Sequence, residues 1–108
     1  MKNRTAIYCR LSREDEKNSI STSIKNQQDF LIEYLKKNNF KLFKTYIDDG
    51  YSGGNFERPG FKSLIEDIKN NNIDIVLVKD LSRLGRNYLE VGYYTEDFFP
   101  SHNIRFIA

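Results

Sequence analysis

Asp74-Ile-Val-Leu-Val-Lys-Asp-Leu-Ser-Arg-Leu-Gly-Arg-Asn87 changes character halfway along, and that change decides how the chain is read. Apart from Asp74, residues Ile73 to Val78 form a short apolar run rich in β-branched side chains. That is the pattern of a strand buried on both faces. Polar residues then follow: Ser82, Arg83 and Arg86. If the chain turns helical at Leu81, Ser82 and Arg86 are four apart and Arg83 and Arg86 three apart, so all three share one face. Leu81 and Leu84 fall on the other side and can anchor the turn in the core. A buried strand that delivers two guanidinium groups at its carboxyl end is well placed to hold a phosphate. Ordinary surface arginines at a solvated helix start fit the same spacing, so the decision rests on the rest of the chain.

Upstream, Arg4 to Leu11 reads as a first strand. Alternation puts Tyr8, Arg10 and Ser12 on one side and Ile7, Cys9 and Leu11 on the other. Arg10 and Ser12 would stand roughly 6–7 Å apart at the strand's carboxyl end, close enough to serve one phosphate. Arg13 to Ser19 is polar and heavily charged, the composition of a mobile loop. Ser21, Thr22 and Ser23 offer helix caps before an apolar stripe of Ile20, Ile24, Leu31 and Leu35. Gln27 falls on that stripe, where a polar side chain needs a partner. A backbone carbonyl or a role in the site would serve equally. Lys36 to Asn39 supply the helix end.

Phe40 to Ile47 reads as a second strand, leading into the Gly-rich, flexible loop Asp48 to Asn55. Phe56 to Gly60 leads into a helix over Phe61 to Asn70, with Pro59 suited to its start. Asn70-Asn71-Asn72 breaks it before the third strand. Helical spacing returns from Tyr88 to Phe99 through Val91, Thr95 and Phe98, and Pro100 helps to stop it. Ile104 to Ala108 opens another strand, and the chain ends inside it, as a fragment of something longer would.

The order β-α-β-α-β-α-β implies an α/β fold: a mostly parallel four- to five-stranded sheet with helices on both faces, truncated at its C-terminus. In such sheets ligands bind beyond the carboxyl ends of the strands. Arg10 and Ser12 end the first strand, the loop carrying Arg58 follows the second, and Ser82, Arg83 and Arg86 follow the third. Their convergence on one edge is the main evidence for a site.

Composition bounds the alternatives. A chain of 108 residues holds one domain with one modest core. No apolar run approaches the ~20 residues that span a membrane, and Met-Lys-Asn-Arg opens no secretory signal. The lone Cys9 cannot form an internal disulfide, which fits a reducing cytoplasm. It sits mid-strand, as a core residue would. The lone His102 offers no zinc site. A net charge of +2, from 17 basic and 15 acidic residues, is too balanced to argue for nucleic acid by itself.

A serine beside three or four arginines has a specific chemical meaning. Arginines neutralise a phosphate and stabilise phosphoryl-transfer charge, and a serine hydroxyl can attack phosphorus and keep the bond energy in a covalent link. No histidine stands ready as general base and no Walker-type lysine loop is present. This is the equipment of metal-free phosphodiester transesterification, with no cofactor.

Five segments together resemble the catalytic domain of the serine site-specific recombinases: the resolvases, invertases, and large phage and transposon integrases. They are Tyr8-Cys9-Arg10-Leu11-Ser12, Ser23-Ile24-Lys25-Asn26-Gln27, Asp49-Gly50-Tyr51-Ser52-Gly53, Arg58-Pro59-Gly60-Phe61 and Leu81-Ser82-Arg83-Leu84-Gly85-Arg86-Asn87. The resemblance covers essentially the whole chain, in the family's order and spacing. It implies that Ser12 is the nucleophile forming a 5′-phosphoserine link to DNA, and that Arg10, Arg83 and Arg86 are active-site arginines. It makes Arg58 the arginine of a mobile catalytic loop, with Tyr8 and Gln27 in support. Ser82 stands where many resolvases have Asp. The long segment between Ser12 and Gln27 is more like the large, transposon- or phage-type recombinases. The resemblance further implies double-stranded DNA as substrate, self-association as dimer or tetramer, and DNA-binding domains, a zinc-ribbon region and a dimerisation helix beyond Ala108. A different chemistry would use Asp48, Asp49 and Asp80 as Mg²⁺ ligands at the strand ends. A third reading keeps the fold as an inert DNA-binding or assembly module.

Overall fold

The computed structural model describes residues 3–12 and 23–108. Arg13–Ser19, Ile20, Ser21 and Thr22, for which a loop and a helix start were expected, lie outside the described residues. Four strands form one parallel sheet in the order β2-β1-β3-β4, with β1 Arg4–Leu11, β2 Lys41–Asp49, β3 Ile75–Leu77 and β4 Arg105–Ile107. β1 lies between β2 and β3, so Thr5 to Leu11 are all buried, whereas β2 is an edge and leaves Leu42, Phe43 and Ile47 exposed.

The alternation expected of β1 divides the core in two. Ile7 and Cys9, with Ile75 and Leu77, meet Leu31 and Leu35 of helix α1 (Ile24–Lys37) on one face. Ala6 and Tyr8, with Tyr46, Val76 and Val78, meet Phe61, Leu64 and Ile68 of helix α2 (Pro59–Lys69) on the other. Each such buried side chain contributes roughly 1.5–3 kcal/mol, which is why the two apolar stripes fix the helices to opposite faces. Burial pushes the Cys9 thiol up to about 12, so it remains a neutral core group.

Local chemistry explains the helix ends. The Ser23 hydroxyl accepts from the Asn26 amide and caps α1. Asn39, Asn71 and Asn103 each follow a helix with φ near +60°, the left-handed conformation that asparagine tolerates.

Several boundaries differ from the sequence reading. β2 runs on through Asp48 and Asp49, because its ladder with β1 continues to Arg10 and Leu11. α2 starts at Pro59, which as first helical residue loses no hydrogen bond. The helix after β3 is only one turn, α3 (Leu81–Leu84), because Gly85 leaves it in an extended conformation. Ser82 and Arg86 therefore do not share a helix face. Leu81 does not anchor the turn either: it is half exposed, and Leu84 alone is buried. α4 (Tyr88–Tyr93) widens into a π-helical segment, Tyr94–Phe98, before a last turn, α5 (Phe99–Ser101). Pro100 thus lies inside the helical run rather than ending it. Its missing N–H and its ring, which would clash in an α-helical register, are accommodated by the wider turn before it.

Candidate active site

β1 ends one residue before Ser12, so Arg10 and Ser12, two apart, both reach the carboxyl edge, and both are buried. β3 pairs with β1 only as far as Ile7. Beyond it, the Arg10 backbone on that side would lack partners. Gln27 from α1 supplies them: its Oε1 accepts from the Arg10 amide at 3.2 Å and its Nε2 donates to the Arg10 carbonyl at 3.0 Å. This is the backbone partner that its place on the buried stripe demanded.

The Arg10 guanidinium, with no exposed surface, reaches across to α3. It donates to the carbonyls of Ser82 at 2.7 Å, Tyr51 at 2.9 Å and Arg83 at 3.3 Å. Arg58 approaches the same helix end from the other side, donating to the carbonyls of Leu84 at 2.6 Å and Arg83 at 3.4 Å. The last carbonyls of a helix have no partner within it, and here two guanidinium groups cap three of them in succession. Arg83 returns the contact by donating to the Arg10 carbonyl at 3.0 Å.

Arg58 was expected to ride on a loosely held loop. Instead it is 1% exposed, enclosed by the rings of Phe56, Phe61 and Tyr8 at 4.5, 5.2 and 5.7 Å. Its Nε donates to the Asn55 carbonyl at 3.0 Å and its Nη1 to the Tyr8 hydroxyl at 2.9 Å. The aromatic cluster behind the loop holds it in place, because cation–π attraction strengthens where water is excluded. Burial holds the Tyr8 phenol well above its ordinary range despite the nearby arginines, so the phenol keeps its proton and donates to Asp48 Oδ2 at 2.7 Å.

Asp48 entered the sequence reading only as a possible metal ligand. Both its oxygens are engaged: Oδ1 accepts from the Gly60 amide at 2.7 Å and Oδ2 from the Phe61 amide at 2.9 Å as well as from Tyr8. It caps α2, in place of Arg58, which makes no side-chain cap bond. Asp49 is exposed, and Asp80 caps α3 through the Ser82 amide and hydroxyl. Among the described residues no three acidic, histidine or cysteine side chains gather at metal-binding spacing. Burial opposes ionisation of Asp80, but the Ser82 hydroxyl and the Arg83 charge hold its carboxyl below the ordinary value. A carboxylate therefore sits against Ser82 even though position 82 itself carries none. Period-two spacing of Tyr46 and Asp48, both buried in β2, was the available signal for Asp48.

The loop expected to be flexible is tied at three carbonyls: Tyr51 by Arg10, Asn55 by Arg58, and Gly53 by the Arg86 amide at 2.7 Å. A side chain at Gly53 would put its Cβ 2.7 Å from Arg10 Nη2, so only glycine lets the loop lie this close. Arg10 lies covered beneath the loop. Arg86, outside α3, is exposed at its rim. The structure thus brings together Tyr8, Arg10, Gln27, Arg58, Ser82 and Arg83 through direct bonds, with Ser12 two residues beyond Arg10 and Arg86 outermost. Among the described residues, three guanidiniums and one carboxylate, Asp48, are buried, and the exposed Asp80 lies 3.6 Å from Arg83 Nε.

The profile of a family described as resolvase, N-terminal domain, matches residues 5–108. Among solved structures, the chain is similar to the N-terminal catalytic domain of TP901-1 integrase, with 37% identity and a TM-score of 0.87 over 97% of this chain and 75% of that one. It is also similar to the C-terminal catalytic domain of ISC1926 TnpA, an IS607-like serine recombinase, at 27% identity and a TM-score of 0.79, over 95% of this chain and 65% of that one. A resolvase-family site-specific recombinase from Streptococcus pneumoniae gives 25% identity and a TM-score of 0.79, over 97% and 70%.

Proposed function

This chain belongs to the resolvase N-terminal domain family of serine recombinases, and from that membership we propose that it cleaves and rejoins double-stranded DNA through Ser12. The observation that carries the reading is the arginine cluster at the carboxyl end of β1: Arg10, two residues before Ser12, reaches the end of α3, and Arg83 of α3 reaches back to the Arg10 carbonyl. Guanidinium forks gathered there match the charge and geometry of a phosphodiester.

In this reading the Ser12 oxygen attacks phosphorus and gives up its proton. The bond from phosphorus to the 3′-oxygen breaks, that oxygen leaves as a protonated hydroxyl, and the 5′-phosphate stays esterified to serine. Rejoining is the reverse reaction with a different 3′-hydroxyl, so the bond energy is conserved. Arg10, Arg83 and Arg86 stabilise the charge that builds on the phosphoryl oxygens, and no metal ion is needed. To reach Arg10 the phosphate takes the place of the Tyr51 carbonyl. Residues 1–108 serve as the catalytic domain, acting in the cytoplasm on DNA as a dimer or tetramer, with site recognition carried outside this fold.

The test incubates the intact protein with a supercoiled plasmid carrying the DNA that flanks its gene, with and without EDTA. Covalent protein–DNA adduct is expected on a denaturing gel in both. Ser12→Ala should bind the plasmid equally and give none. Adduct formed by Ser12→Ala, or wild-type adduct lost in EDTA and restored by Mg²⁺, would overturn the reading.

A further inference from the structure

Between the start of α2 and the end of α3 runs an unbroken chain of hydrogen bonds. The Gly60 and Phe61 amides donate to Asp48, as does the Tyr8 hydroxyl. The same hydroxyl accepts from Arg58, whose guanidinium closes on the Arg83 and Leu84 carbonyls. We infer that Asp48, Tyr8 and Arg58 are positioning residues that act as one unit, setting the end of α3 so that Arg83 and Arg86 are presented to the phosphate. The inference rests on the recombination reading above but assigns Arg58 away from the DNA.

The geometry separates Arg58 from the other arginines. Its surface is closed by Phe56, Phe61 and Tyr8, and its Nε, Nη1 and Nη2 are all engaged with protein oxygens. It holds α3 by its backbone, and α3 needs holding: it is one turn long, and a helix that short has almost no stability of its own. Gly85 leaves it extended, so whatever shifts the Leu84 carbonyl shifts Arg86 two residues on. Asp48 enters through Tyr8. As a carboxylate it keeps the phenolic hydrogen pointing away from Arg58, and the lone pairs of the phenol are left to accept from Nη1. The fork is required, since a single ammonium cannot span the Asn55 carbonyl, the Tyr8 hydroxyl and the Leu84 carbonyl together.

Two measurements on Tyr8→Phe, Arg58→Lys and their combination test this. In single-turnover cleavage of the plasmid above, at saturating protein, each single variant should fall about tenfold or more with its DNA affinity unchanged. The double variant should be no slower than Arg58→Lys alone, because both act through one chain. In ¹⁵N spectra of the 108-residue chain, Tyr8→Phe should move the Leu84, Gly85 and Arg86 amide signals while the α1 signals stay in place. Asp48→Asn should move the same signals, and if it does not fold, Tyr8→Phe decides alone. Wild-type cleavage by Tyr8→Phe, additive losses, weaker DNA binding by Arg58→Lys, or unmoved amide signals would each overturn the inference. Should wild-type protein give no adduct, the recombination reading fails, and the spectra still decide whether Tyr8 sets α3.

Discussion

Arg4 and Arg10 stand six residues apart on the same strand, and their guanidinium groups are satisfied in opposite ways. At the amino end of β1, Arg4 makes a forked pair with Asp74, Nε to Oδ2 at 3.0 Å and Nη2 to Oδ1 at 3.1 Å, partly open to water. At the carboxyl end, Arg10 donates to the carbonyls of Tyr51, Ser82 and Arg83 and is wholly buried. The first arrangement pairs a charge with a carboxylate. The second orients a buried charge with backbone carbonyls. A carbonyl dipole is a weaker acceptor than a carboxylate, so a phosphate displaces it more readily. The two ends of one strand thus show how the same residue type becomes a structural clasp or a binding group.

The contrast is broken most forcefully at Arg10. Arg10→Ala takes the Arg10 donor from the Tyr51 and Ser82 carbonyls, leaves the Arg83 carbonyl to Arg58 alone, and removes transition-state charge, so cleavage should fall about 10²-fold or more. Lysine should rescue poorly, since it cannot reproduce the fork. Single-turnover adduct formation measures both. If Arg10→Lys cleaves at the wild-type rate, charge alone suffices and the carbonyl arrangement is incidental.

A smaller effect is expected at Gly53. Gly53→Ala places a methyl group against Arg10 and Arg86, which should destabilise the fold by about 1–3 kcal/mol through overpacking. Urea denaturation reads this directly. An unchanged midpoint would mean that the loop moves off Arg10 at little cost.

The smallest effect belongs to the clasp. Arg4→Ala should cost no more than about 1 kcal/mol, because the pair is partly solvated, and should leave cleavage untouched. Hydrogen bonding to Arg4 holds the Asp74 carboxyl below its ordinary value. The contribution is therefore complete above the unfolded carboxylate range near ~4 and is lost as pH falls through the lower folded value. Denaturation of both proteins between neutral pH and about pH 3 should show their stability difference shrinking only at the acid end. A difference that grows with acidity would reverse the assignment.

Much of this arrangement was legible beforehand. The alternation of β1, the apolar stripe with Gln27 on it, and the run before Lys79 all reported elements correctly, because period and burial are written locally. The length of α3 was not, since Gly85 can continue or end a turn and the choice depends on what Arg86 meets. Arg58 misled in the same way: glycines around it suggested a loose loop, while its hold comes from Phe56, Phe61 and Tyr8 closing from separate elements.

What the chain determined by itself is the order of strands and helices, and hence that Arg10, Ser12, Arg83 and Arg86 gather at one edge of the sheet. Strand direction places them there whatever the details of packing. Only the folded structure decided how the arginines are held, through Tyr51 and Asn55 in the loop and Ser82, Arg83 and Leu84 at the end of α3. These acceptors are backbone carbonyls, and every residue carries one, so no pattern of side chains can announce which of them a guanidinium will find.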